Sequence, residues 1–330
     1  MNRTRMLALV TAAMLIAATV FGAGAADRPD VIGISKIVAH PALDAVEQGI
    51  MDELAELGYE LEYDLQNAAG DISTAASIAT KFRSDRVRVA VGIATPTSQA
   101  LANALSDIPV VYSAVTDPVD AGLVDSYQHG GPNVTGVSDM TPVKAQIEML
   151  ARLTDLQTLG HVYASGEANA VTLANMAREA ADELGIEFVE ATVTNSAEVR
   201  QATQSIIGRV DGIYVSTDNT VVSALSSLVE VANNAGIPVV TADPSSAEDF
   251  DVLAAWGFDY YKMGRATGRV IAQILEGTPT SDIGTVFMTD PSDIDLLINL
   301  DVANALGITF PQDILETAGK IVENGVLRTQ

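Results

Sequence analysis

Cysteine is absent from all 330 residues. Its absence excludes a thiol nucleophile, a thiolate metal centre, a disulfide framework and a lipid-modified cysteine. Histidine is nearly absent. His40, His129 and His161 are dispersed and lack the spacing of a zinc site, so no metal and no cofactor is expected. Positive charge is scarce: 18 Lys and Arg stand against 43 Asp and Glu, a formal net charge of −25. Such a surface repels nucleic acid and anionic lipid. Its acids are scattered singly along helix faces, as at Asp52-Glu53 and at Glu179, Asp182 and Glu183, which reads as a solvated surface of the kind suited to a salty medium. The chain has no Gly-x-Ser-x-Gly elbow, Walker loop or Gly-x-Gly-x-x-Gly turn, so the usual hydrolase and nucleotide signatures are missing. After the first 25 residues, no apolar run is long enough to span a membrane.

Those first 25 residues have a layout of their own. Arg3 and Arg5 precede an apolar run over residues 6–21, and Ala23-Gly24-Ala25 follows. A positive start, an apolar middle and a small-x-small end describe a secretory signal peptide, cut here after Ala25. The alternative is an N-terminal anchor, but the run is shorter than the roughly 20 residues needed to span and no cationic stop follows. The leader carries two of the basic residues and none of the acids, so the mature charge is −27. An extracytoplasmic protein is expected, one engaged in capture, sensing or hydrolysis.

The rest alternates strand and helix. Val31-Ile32-Gly33-Ile34-Ser35 reads as a buried strand. Pro41 suits the first turn of the next helix, whose apolar residues Leu43, Val46, Ile50, Leu54 and Leu57 recur at helical spacing before Gly58 ends it. Leu-Gly-Ile at 184–186 and 306–308, and Ala-Gly-Ile at 235–237, repeat that punctuation. Apolar runs lie between, at 87–93, 110–112, 159–163 and 212–215. Strand, loop, helix and glycine in repetition mark parallel α/β sheets. Thr141 and Pro142 look like the start of a new helix, with Thr141 as its cap, and a first crossing between two lobes is placed there. A second crossing is expected between residues 243 and 258. Gly264-x-x-x-Gly268 reads as a site of close helix packing.

Ligands in open parallel sheets sit at the C-terminal ends of strands. That rule collects one loop after another. The first lobe offers Val38 and His40, then Thr95, Pro96, Thr97 and Ser98, then Thr116 and Asp117. The second offers Glu167, Ala168 and Asn169, then Thr217, Asp218 and Asn219, then Asp243. Residues 95–98 open a helix with Pro96 in its first turn, where free N–H groups and hydroxyls suit a carboxylate. The bland alternative is an ordinary cap by Thr95. Asp218 or Asp243 suits a ligand ammonium; taken alone each is more often a helix cap, and their shared place at one sheet edge is what raises them. Asp117 before Pro118 is also a plain turn signal. Phe258 belongs to an aromatic run, Trp256 to Tyr261, that lines a pocket or fills a core.

Together these residues are familiar. Ile34-Ser35-Lys36-Ile37-Val38-x-His40-Pro41-Ala42-Leu43-Asp44 resembles the opening of a family of ABC-transporter solute-binding proteins. Ile93-Ala94-Thr95-Pro96, Ala114-Val115-Thr116-Asp117-Pro118 and Asn133-Val134-Thr135-Gly136-Val137-Ser138-Asp139 continue the likeness. So do Gly166-Glu167-Ala168-Asn169, Thr217-Asp218-Asn219-Thr220-Val221 and Gly257-Phe258-Asp259-Tyr260-Tyr261. The resemblance runs over residues 31–322. It implies an α/β fold of two Rossmann-like parallel-sheet lobes joined by a hinge, the periplasmic binding protein type I arrangement. The expected division puts 26–138 and 257–285 in the N-terminal lobe, and 139–256 and 286–330 in the C-terminal lobe. It further implies a monomeric periplasmic receptor of an ABC importer, with aromatic amino acids as ligands, an inner-membrane permease as partner and no chemistry of its own. The missing lipobox cysteine fits a Gram-negative periplasm. Three other classes share parts of this pattern: a sensor feeding a membrane signalling protein, a periplasmic hydrolase, and a LacI-type regulator. The last is disfavoured because a leader stands where its DNA-binding headpiece would be.

Overall fold

The computed structural model describes residues 30–330; the expected leader and its cleavage point lie outside the described residues. Strands β1 (Val31–Lys36), β2 (Glu62–Asn67), β3 (Val89–Ile93), β4 (Val110–Val115) and β5 (Val134–Ser138) build the first sheet. Helices α1 (Pro41–Glu56), α2 (Ile72–Asp85) and α3 (Thr95–Ala104) connect them. Every residue of β3, β4 and β5 is buried, as expected of continuous apolar strands covered on both faces.

After β5 the chain crosses to a second lobe. There α4 (Val143–Leu153), β6 (Thr158–Ala164), α5 (Ala168–Leu184), β7 (Glu187–Val193), α6 (Val199–Ile206) and β8 (Gly212–Val215) follow in turn. Next come α7 (Asn219–Val222), α8 (Leu225–Ala235), β9 (Val239–Thr241), α9 (Pro244–Ala247) and β10 (Ala254–Phe258). The chain then returns. Helix α10 (Tyr260–Leu275) packs on α1, and β11 (Val286–Phe287) pairs with β5 at the edge of the first sheet. A third crossing leads to β12 (Ile294–Asn299), α11 (Leu300–Leu306), α12 (Gln312–Thr317), β13 (Lys320–Glu323) and β14 (Val326–Thr329). The first sheet runs β11-β5-β4-β3-β1-β2, with every pairing parallel. The second runs β14-β13-β12-β10-β9-β8-β6-β7, parallel except where β12 meets β10 and β14 meets β13. The result is two α/β lobes with separate cores. On β8, Tyr214 faces one core of the second lobe while Ile213 and Val215 face the other.

Three expectations need correcting. Gly257 and Phe258 pair within the second sheet, so the return crossing falls at Asp259, one residue past the expected window. Val286 and Phe287 belong to the first sheet, not to the second lobe. Thr141 caps nothing: the residue before α4 is Pro142, and the Thr141 hydroxyl instead accepts from Gln146 Nε2 at 2.6 Å.

Close packing of α1 on α10 explains the expected glycines. A Cβ on Gly264 would lie 2.2 Å from the Val46 carbonyl oxygen and one on Gly268 2.7 Å from the Glu53 Cβ; on the facing helix, one on Gly49 would lie 2.2 Å from the Tyr261 carbonyl oxygen. Three residues at or near strand ends of the first lobe are not glycine but have positive φ: Ala69 two residues after β2, Ala94 directly after β3 and Ala114 within β4. Such backbone costs of order 1–3 kcal/mol at each position. In β4 it accompanies a break in register between Tyr112 and Val115.

Candidate functional site

The C-terminal strand ends of the two lobes face one another across a cavity of about 20 Å³. From the first lobe and the crossing it is lined by His40, Leu43, Ala114, Asp139 and Tyr260. From the second it is lined by Asn169, Thr217, Asp218, Asn219, Val222 and Asp243. His40 is placed by the turn from β1 into α1, where Pro41 fixes the first helical residue. Thr217, Asp218 and Asn219 follow β8, and Asp243 follows β9.

Carboxylates dominate. Asp139, Asp218 and Asp243 line the cavity and Glu167 stands behind Asn219; all four are buried. Among the described residues, no Lys or Arg lines it. Asp218 accepts from the amide of Val221 at 3.0 Å and from that of Ala164 at 2.6 Å. Glu167 accepts from Asn219 Nδ2 at 2.6 Å and from the amide and hydroxyl of Thr220 at 3.0 and 2.6 Å. Asp243 accepts from the Ser246 amide at 3.0 Å, and its second oxygen lies 4.0 Å from His40 Nδ1. Asp139 accepts from two hydroxyls, Tyr260 at 3.2 Å and Thr116 at 3.3 Å. Burial raises the Asp218 carboxyl to about 7, with the Glu167 charge adding to it, and the Asp139 carboxyl to about 6. Burial lowers the His40 imidazole, against the pull of Asp243, Asp44 and Glu167.

Several buried polar atoms at this place have no partner among the described residues: His40 Nε2, Asn169 Oδ1, Ser216 Oγ and Thr217 Oγ1. Buried polar groups ordinarily find hydrogen bonds, and each one left without costs about 1–3 kcal/mol. Acceptors and hydroxyls facing inward, without a resident cation, suit a small ligand rich in hydrogen-bond donors. Among the described residues, no group of three or more His, Asp or Glu is placed to hold a metal ion.

Six expected site residues therefore meet: His40, Asn169, Thr217, Asp218, Asn219 and Asp243. Glu167 and Thr116 stand directly behind them, bonded to Asn219 and Asp139. The others sit elsewhere. Asp117 accepts from the amides of Val119 and Asp120 and from the Tyr127 hydroxyl, so it closes a turn. Thr97 and Ser98 spend their hydroxyls on the carbonyls of Gly92, Ile93 and Ala94. Thr95 is different, for its buried Oγ1 has no partner. Pro96 lines a separate groove between α2 and α3. Val38 and Phe258 pack on the core of the first lobe, and Ala168 begins α5. Asp218 is fully buried, not in a solvent-lined loop, and it caps α7 as its alternative reading held.

Asp139, Ala114, Tyr260, Leu43 and Val222 line the cavity without having been singled out for it. Asp139 had a signal, since it is the first residue after β5 and obeys the strand-end rule. Leu43 and Val222 read as helix core.

Residues 31–322 match the family described as ABC transporter substrate binding protein. The chain belongs to that family. A tyrosine-binding protein from Clostridioides difficile strain R20291 is 37% identical over 280 residues, 83% of this chain and 80% of that one. Two solved structures compare the lobes. One, from Streptococcus pneumonia in complex with L-Trp, has a TM-score of 0.85 at 33% identity, covering 89% of this chain and all 100% of its own. The other is the ligand-free, open structure of a substrate binding protein with adhesive properties from Clostridium difficile. It scores 0.66 at 36% identity, covering 89% of this chain and 99% of its own. The more identical chain is the less superposable. This substrate-binding protein superposes better on the tryptophan complex than on the ligand-free, open structure.

Proposed function

We propose that this substrate-binding protein takes a zwitterionic amino acid, tyrosine or tryptophan, between its lobes. It would work as the extracytoplasmic receptor of an ABC importer, in the periplasm, released by cleavage after Ala25, and would pass its ligand to a membrane permease without transforming it. Carboxylates without a cation and polar atoms without partners, drawn from both lobes, converge on one cavity. A ligand bearing an ammonium and further polar atoms supplies what they lack. The ammonium goes to the acidic side of the cavity. The carboxylate goes to the first turn of α3, which lies outside the lining of the cavity, where Thr95 keeps a free hydroxyl and the helix N-terminus favours an anion. Its bound relatives, one named for tyrosine and one solved with tryptophan, support an aromatic side chain.

Titration calorimetry tests this with tyrosine and tryptophan against their amides and N-acetyl forms. Losing one partner of a desolvated charge pair costs roughly 2–5 kcal/mol, so both blocked forms should bind at least about 30-fold more weakly. Equal affinity for all forms removes the zwitterion, and binding of none removes the ligand class.

A further inference from the structure

We propose that Asp139 is the carboxylate that receives the ligand's ammonium group. The inference rests on the amino-acid reading above and names the anchor within that site.

The four acids differ in what already feeds them. Asp218 holds backbone amides on both oxygens, and Glu167 holds an amide, a hydroxyl and a side-chain NH2. These two are spent on positioning the loops after β6 and β8. Asp243 caps α9 with one oxygen and turns the other toward His40. Asp139 alone among the four takes no hydrogen bond from another residue's N–H: two hydroxyls reach it at 3.2 and 3.3 Å, both long for an O–H donor to a carboxylate, and beside them stands only its own backbone amide. It is 3% exposed. A buried carboxylate so thinly bonded is costly unless a cation faces it. An ammonium brings three N–H donors and a full positive charge, and no lysine or arginine occupies that role.

Position agrees with bonding. Asp139 lies at the first crossing, immediately after β5, so a ligand held there sits where the lobes meet. Across the cavity, Asn169 Oδ1 and His40 Nε2 are buried and without partners, and can take the ammonium's remaining protons or a polar side-chain atom. The charged and titratable groups around Asp139 are Tyr260 on α10, Asp243 before α9, His40 before α1 and Asp218 before α7. Burial is the main cause of the raised Asp139 pKa, and the Asp243 charge adds to it, so below about pH 6 an ammonium must displace a proton to bind there.

The test pairs Asp139→Asn with Asp117→Asn, and tyrosine with N-acetyltyrosine. At pH 7.5, Asp139→Asn should weaken tyrosine binding by roughly 30-fold or more. N-acetyltyrosine should change by less than about threefold, because its amide nitrogen brings no charge. Asp117→Asn, at a turn carboxylate outside the cavity, should keep the preference for the free amine. Wild-type affinity should fall about tenfold per pH unit below pH 6, a readout that needs no variant to fold. Unchanged tyrosine affinity in a folded Asp139→Asn, or a flat wild-type profile between pH 5 and 7.5, overturns the anchor and leaves the receptor reading standing. A wild-type protein that binds no amino acid overturns both.

Discussion

Asp218 has each carboxylate oxygen held by a backbone amide, one capping α7 and one reaching the end of β6. Asp218→Ala should therefore cost stability first. The cap is worth about 0.5–2 kcal/mol, and the buried Ala164 amide left behind adds roughly 1–3 more. Differential scanning calorimetry should show a lower Tm, and an unchanged Tm would refute the cap. Acid also bears on these groups, with an unusual sign. The Asp139 and Asp218 carboxyls stand at about 6 and about 7, above their ordinary value of 3.8. An acid whose pKa rises on folding stabilises the fold when protonated. Its contribution is full below about pH 4 and is lost as pH climbs through 6 and 7. Tm should thus rise on acidification from pH 8 to pH 5, and Asp139→Asn should flatten the part of that rise near pH 6. A Tm that falls steadily over this window would contradict the raised values. For a shift of about two units the effect is on the order of 3 kcal/mol. The sequence already offered Asp218 and Asp243 as caps or as ligand contacts. It could not weigh the two roles, because the weighing depends on which amides point at each oxygen. Asp139 was passed over because a lone acid after a strand looks like any other loop residue until its hydrogen-bond partners are known.

At the scale of elements, α1 and α10 meet backbone to backbone. Gly264→Ala would press a methyl group onto the Val46 carbonyl, which a helix backbone cannot yield without moving bodily. It should destabilise by about 2 kcal/mol or more, read as a fall in the denaturation midpoint at unchanged slope. Gly58→Ala is the control with open space around it, and its cost should reflect only its positive φ of 87°. A Gly264→Ala midpoint equal to wild type would show that the helices part freely. The Gly-x-x-x-Gly spacing made this contact legible in advance. The helix-ending glycines were legible too, for Gly185, Gly236 and Gly307 all take positive φ after their helices. Edge strands were not. Strand β2 is Glu-Tyr-Asp-Leu-Gln-Asn with no residue fully buried, so it lacks the apolar run that betrays a central strand. The β13–β14 hairpin carried an overlooked sign: Asn324-Gly325, both at positive φ, is the pair that two-residue hairpin turns prefer.

For the whole molecule, two lobes meeting at strand ends make a hinge, and a ligand touching both favours the closed arrangement only through its contacts with each. Small-angle scattering should show a smaller radius of gyration with tyrosine or tryptophan than without. An identical radius, with binding shown separately, would mean that the ligand engages one lobe alone. The architecture was legible because period and punctuation repeat along the chain, whereas the exact crossings were not. A crossing is a tertiary event, and Gly257-Phe258 and Val286-Phe287 look like strand residues whichever sheet receives them. The three crossings also set an order of assembly. A ribosome that has finished β10 has made five of the six strands of the first sheet but nothing of α10, the helix whose Met263, Val270 and Ile271 complete that lobe's core. The lobe that begins first is thus completed late, after most of the second has been synthesised, and no single uninterrupted stretch of the chain encodes either one.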